Sequence, residues 1–140
     1  TRFGWPGTFD PAARLGVPAA IDRYREWASV GAIAHCEQLA DHASDVLSGI
    51  GAIPTGGRTL LPPRLRAFLL PHNDIDALQQ RLLGENVRVW SGRRDASSCL
   101  VRIATHVYND EADIDVLAET LAASVTAGPA ASGNPATDSR

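Results

Sequence analysis

No lysine occurs anywhere in these 140 residues, and all 13 basic residues are arginine. The chain therefore lacks a side-chain primary amine able to form an imine with an aldehyde cofactor or substrate, and any such chemistry must use another polypeptide segment. Long apolar runs are missing too. Nothing approaches the roughly 20 residues needed to span a bilayer, and the first residues show neither the basic flank nor the apolar stretch of a signal peptide. The expectation is a soluble, cytoplasmic protein with no membrane partner. A net charge of −3 with scattered arginines leaves no continuous basic stripe, so nucleic acid is not an expected partner. Cysteine is scarce: Cys36 and Cys99 are far apart, have no metal-ligand spacing, and read as buried free thiols. His35 and His42 stand about two helical turns apart, too far to share one metal ion, and no metal site is expected.

What is present is ordinary for a globular domain, with 44% apolar and 21% charged residues. The first residue is Thr1, and a dense turn-like segment follows at once, so the chain reads as starting within a longer protein. Asp10 before Pro11 is a helix-start signal, and Pro18 should interrupt or restart that helix, with a second stretch running to about Ala28. Ile33, Cys36, Ala40, Ala43 and Leu47 recur at helical spacing and predict a long helix ending near Gly49 and Gly51.

Residues 54–63 read as loop, with Thr59, Leu60 and Leu61 able to form a short edge strand. Arg66 to Leu70 reads as a strand, followed by Asn73 or Asp74 as the cap of a helix whose apolar face is Ile75, Leu78 and Leu82. Val87 to Trp90 and Leu100 to Ile103 are short strands flanking a polar loop, Ser91 to Ser98, in a hairpin with a wide tip. Asn109 is placed to cap a last helix, with Asp110, Glu111 and Asp113 in its first turn and Ile114, Leu117, Ala118, Leu121 and Val125 on its buried face. Residues 127–140 lack the apolar surface to offset ordering and are expected to form a flexible tail. The predicted fold is α/β in composition, an α+β small domain. It has a small, mainly antiparallel sheet with helices on one face, preceded by long N-terminal helices.

Two islands carry the chemistry: Phe3-Gly4-Trp5-Pro6-Gly7-Thr8-Phe9-Asp10-Pro11 near one end and Arg102-Ile103-Ala104-Thr105-His106-Val107-Tyr108-Asn109-Asp110 near the other. Together with Ala12 to Ile21, Leu69-Leu70-Pro71, Leu78 to Leu82 and Asp113-Ile114-Asp115, they resemble, in order, the C-terminal part of a class V aminotransferase-family enzyme. The isopenicillin N epimerase-like branch is the nearest match. These are fold-type I enzymes dependent on pyridoxal 5′-phosphate. The resemblance covers about Phe3 to Leu121.

The resemblance implies that Gly7 and Thr8 bind the cofactor phosphate across a dimer interface, chemistry suited to glycine and a hydroxyl beside a helix start. By themselves these residues also suit a plain turn. It implies that Arg102 grips the α-carboxylate of an amino-acid substrate, because a guanidinium can make two parallel bonds to a carboxylate. Read without it, Arg102 better suits a strand arginine paired with a helix carboxylate such as Glu111. His106, Tyr108 and Asn109 match the family pattern in packing and capping roles, Trp5 reads as core or interface packing, and Arg93 and Arg94 fall in the solvated loop. Cysteine desulfurases carry a nucleophilic cysteine well upstream of this arginine. Cys99, three residues before Arg102, does not match it, leaving aminotransferase, epimerase or carbon–sulfur lyase chemistry open.

The expected organisation is residues 1–30 in the cofactor and dimer-interface region, 31–126 as the C-terminal small domain, and 127–140 as tail. The expected function is that of a segment of a pyridoxal-phosphate enzyme acting on an amino acid, partnered in a homodimer or by a lysine-bearing segment. It contributes substrate-carboxylate and cofactor-phosphate contacts, has no catalytic residue of its own, and is inert alone. The alternative is a stand-alone, non-catalytic α/β binding or dimerisation module.

Overall fold

The structure is a computed structural model that describes residues 11–57, 60, 62–72 and 74–126. The expected cap Asp10, Gly7 and Thr8 with their expected phosphate contacts, Trp5, and the 127–140 segment lie outside them. Helix α1 (Ala12–Leu15) runs almost directly into α2 (Val17–Ser29), because Gly16 between them keeps right-handed helical geometry at φ −76°. Pro18 thus falls in the first turn of α2, where its missing N–H costs little. No residue of α1 or α2 is buried, and Val17, Ile21 and Tyr24 face outward.

The direction changes at Gly31, whose φ of +78° suits a residue without a Cβ. Helix α3 (Ala32–Gly49) follows and buries Ile33, Cys36, Ala40, Ala43 and Leu47, the stripe read from the periodicity. Its end is closed by the Ala52 N–H donating to the Leu47 carbonyl across Gly51, which sits at φ +90°.

Strands β1 (Ile53–Pro54), β2 (Leu65–Leu70), β3 (Trp90–Arg93) and β4 (Cys99–Ala104) form one antiparallel sheet in the order β1-β2-β4-β3. Helix α4 (Ile75–Gly84) lies between β2 and β3 in sequence, and α5 (Glu111–Thr126) closes the chain. Along β2, Arg66, Phe68 and Leu70 are buried while Leu65, Ala67 and Leu69 are half-buried, and along β4 Cys99, Val101 and Ile103 are buried. This period of two divides the sheet into an inner and an outer face. The inner face meets Leu39, Ala43 and Leu47 of α3, Leu78 and Leu82 of α4, and Ile114, Leu117 and Leu121 of α5 in one core. The predicted α+β architecture, with helices packed on one face of a small antiparallel sheet, is the one observed.

Two local readings change. An edge strand is observed at Ile53–Pro54; of the possible strand over 59–61, Thr59 and Leu61 lie outside the described residues and Leu60 is in a 3-10 turn. Pro54 is tolerated there because one side of an edge strand needs no ladder donor. The hairpin strand starts at Trp90 and takes in Ser91, Gly92 and Arg93, which the sequence reading placed in the loop. Asn86 at φ +57° turns the chain and the Val87 N–H donates to the Leu82 carbonyl, closing the end of α4, and Val87 and Val89 pack on the core before pairing begins. The tip is therefore the short run 94–98, tied by Asp95, which accepts from the Ser97 N–H and both serine hydroxyls. Asp110, not Asn109, caps α5: its carboxylate accepts from the Asp113 N–H at 3.2 Å, while Asp113 accepts from the Asp110 N–H at 3.3 Å. That reciprocal pair is a capping box. At α4, Asp74 takes the cap by accepting from the Ala77 N–H at 3.0 Å.

Candidate substrate-carboxylate site

Arg102 lies at the middle of β4, one of the two central strands. Its partners across the ladder are Ala67 on β2 and Trp90 on β3. Directly paired residues share a face, so all three stand on the outer face of the sheet. Ala67 is small and leaves room on one side. On the other, the Arg102 guanidinium carbon lies 5.2 Å from the centre of the Trp90 ring, within the range of a cation–π contact. Among the described residues no carboxylate pairs with Arg102, and the pairing with Glu111 considered from the sequence is not formed.

Beside Arg102 the sheet opens into a cleft of about 710 Å³, bounded by residues 85–89, the end of β4 and the first turns of α5. It exists because β3 pairs with β4 only as far as Trp90 and Arg102; before that point the chain turns away at Asn86. Arg88, Trp90, Arg102 and Tyr108 line it together with the acidic residues Glu85 and Asp113. The Asp113 carboxylate is already engaged by Asn109 Nδ2 at 2.9 Å and by the Asp110 N–H. The cleft therefore offers a guanidinium with no carboxylate partner among the described residues, next to an aromatic side chain, an arrangement able to bind a carboxylate.

The rest of the second island supports this site. Thr105 donates its hydroxyl to the Cys36 carbonyl at 2.7 Å, fastening the end of β4 to α3. Asn109 accepts from the His106 N–H at 3.0 Å, shaping the connection into α5. His106 stacks on Tyr108 with ring centres 4.7 Å apart and meets the edge of Trp27 at 5.5 Å, which joins α2 to this connection. Arg93 ends β3 in an exposed position, and Arg94 makes a loose exposed contact of 3.8 Å with Asp95.

Cys99 lies on the inner face, fully buried, and desolvation pushes its thiol above the ordinary value. A buried, protonated thiol is no nucleophile at neutral pH. Cys36 is equally buried, and both are free. His35 is exposed and His42 half-buried on α3, and no cluster of metal-ligating side chains occurs among the described residues. No helix among them is long and apolar enough to cross a membrane.

Trp90 is the site residue that sequence reasoning missed. The signal was there in the hairpin: a five-residue tip over 94–98 sets Arg93 opposite Cys99 and therefore Trp90 opposite Arg102. Reading the tip as 91–98 hid that register.

No family model matches the chain, and no curated protein matches it. Among solved structures, it is similar to a NifS-like protein, with a TM-score of 0.67 and 23% sequence identity over 86% of this chain and 35% of that one. The likeness establishes the fold. The chain spans about a third of the length of that protein.

Proposed function

We propose that this chain is the C-terminal segment, mostly the small domain, of a pyridoxal-phosphate-dependent enzyme of the class V aminotransferase type, and that Arg102 binds the α-carboxylate of its amino-acid substrate. The observation that carries the reading is an arginine on the open face of a central strand, beside a cleft, with no carboxylate partner among the described residues. A structural arginine in this sheet looks different: Arg66 is buried and paired. The NifS-like neighbour supports the fold part of the proposal, and its greater length is consistent with a segment of a larger enzyme.

The division near residue 30 is supported by the turn at Gly31, which separates helices that bury nothing from the helix that founds the core. Residues 1–30 belong, in this proposal, with the cofactor and dimer-interface region, and 31–126 form the small domain. Gly7 and Thr8 complete the phosphate site across a dimer.

The residues of this chain do not by themselves fit the cofactor. Pyridoxal phosphate supplies an electron sink when bound and is anchored through a lysine amine, and the sequence holds no lysine. No chemical step is therefore assigned to these residues. Their part is to orient: the guanidinium fork fixes the plane of the carboxylate and so the presentation of the α-carbon. The lysine comes from another segment of the complete enzyme or from a lysine-bearing partner, and the isolated chain is inert. The isopenicillin N epimerase-like branch, and racemising or amino-transferring chemistry, belong to the same proposal through the two islands.

In the complete enzyme, Arg102→Ala should raise the substrate KM about 100-fold while the cofactor absorption spectrum stays unchanged, the loss of a charge-assisted, two-point contact being about 2–3 kcal/mol. Unchanged kinetics would sink the carboxylate assignment. A purified chain that is well folded, ignores pyridoxal phosphate and is found at this size in source cells would favour the stand-alone binding or dimerisation module.

A further inference from the structure

Trp90 and Gly92 act as a pair on Arg102. The Trp90 ring does not stand free on the sheet but lies along β3 over Gly92, so closely that a Cβ at Gly92 would fall 2.8 Å from Trp90 Cη2 and 3.0 Å from Cζ2. Gly92 faces Leu100 on the same outer face, two residues on from Trp90, so the space above it is a bed for the ring. On that bed the ring presents its surface to the guanidinium of Arg102, with 5.2 Å from its centre to Cζ. A cation–π contact of this kind uses none of the guanidinium N–H donors, whereas a carboxylate partner would take them.

We propose that Trp90, seated by Gly92, is a positioning residue that holds the Arg102 guanidinium beside the cleft for a carboxylate ligand. This rests on the reading of Arg102 as a carboxylate-binding residue. A strand arginine without such a support samples many rotamers, and ordering it on binding opposes affinity. The aromatic bed removes much of that cost before the ligand arrives. Trp90 itself is about half exposed, so its loss removes little core and the effect is separable from folding.

The test follows the Arg102 Nε–H resonance by NMR in the full chain while acetate replaces chloride at constant ionic strength. The resonance should start displaced by the ring current of Trp90 and move saturably with acetate. Trp90→Ala and Gly92→Ala should both abolish the initial displacement and weaken acetate binding about two- to fivefold, with backbone spectra otherwise unchanged; Trp90→Phe should restore the affinity. Gly92→Ala is the sharper variant, because both side chains of the pair remain and only the seat is filled. Arg102→Ala should eliminate specific acetate binding, read from neighbouring backbone amides. Binding that survives Arg102→Ala overturns the carboxylate reading and the role of Trp90 with it. Binding lost in Arg102→Ala but unchanged in Trp90→Ala and Gly92→Ala overturns the positioning role alone.

Discussion

Arg66 and Arg102 stand one register step apart on neighbouring strands and meet opposite fates. Arg66 points inward and is only 4% exposed; its Nη2 donates to Asp41 of α3 at 2.8 Å and its Nη1 to the carbonyls of Pro62 and Leu65. Arg102 points outward, has no acid to neutralise it among the described residues, and rests against Trp90. A buried guanidinium is costly unless it is paired inside the protein, and Arg66 is paired through both Nη atoms, its Nε alone lacking a partner among the described residues. One on the open face is under no such demand, and its donors stay available to something that arrives later. The difference between the buried, paired arginine and the exposed one in this sheet is thus the difference between its two faces, set by strand alternation.

Hydrophobic residues should divide in the same way, and there the expected effects are largest. Phe68, on the inner face of β2 and fully buried, should cost about 3–5 kcal/mol when changed to alanine. Leu69, its half-buried neighbour on the outer face, should cost well under half of that in the same denaturant titration. Equal losses would mean that the outer face is as tightly covered as the inner one, and the comparison would fail.

The next effect separates the arginines themselves. Asp41→Asn removes the charge that Arg66 meets while its guanidinium stays buried, and should destabilise the fold by about 1–2 kcal/mol, a figure tempered by the partial exposure of Asp41. Arg102→Ala should leave stability within about 0.5 kcal/mol of the original, measured in the same way. A larger loss from Arg102→Ala would make it a structural residue.

A second contrast, between the N-terminal helices and the packed domain, turns on Gly31. Gly31→Ala forces a Cβ into left-handed geometry and should cost about 1–2 kcal/mol by thermal unfolding. Nothing lies within 4 Å of the added Cβ, so backbone strain and not crowding is what the measurement reads.

The smallest effect is local. Asp95 at the hairpin tip has its carboxyl held down to about 2, against an ordinary 3.8, first by the Ser97 N–H and then by the hydroxyls of Ser98 and Ser97. Because the folded value is the lower one, the support it lends the tip is present above pH 3.8 and lost as the pH falls through about 2. Amide exchange at Ser97 should quicken over that window relative to an Asp95→Asn variant, which should show no such step.

Helices α3, α4 and α5 were legible because each buries one stripe, and a stripe such as Ile33, Cys36, Ala40, Ala43 and Leu47 is written at the helical period. Strands β2 and β4 were legible from compact apolar runs closed by Pro71 and by the polar second island. β1 was not, since two residues, Ile53 and Pro54, hold no period, and their pairing with Leu69 and Phe68 comes from chain far along the sequence. The start of β3 was misread because Val87 and Val89 have strand-like side chains but pack on the core before pairing begins. The cap of α5 moved by one residue, from Asn109 to Asp110, because two adjacent candidates compete and only the geometry of the turn chooses between them.

For the site, Arg102 stood out through the island around it, while Trp90 did not, because its importance depends on register. By itself the sequence determined the elements whose signal is local: the long helices, the central strands, the small antiparallel sheet, and the absence of any lysine for imine chemistry. Tertiary structure alone decided which arginine is buried and which is free, where β3 begins, and that a ring seated on Gly92 lies against Arg102. The physical reason is range: helical periodicity and strand alternation are written within a few residues, whereas face, register and cleft arise only when distant segments pair.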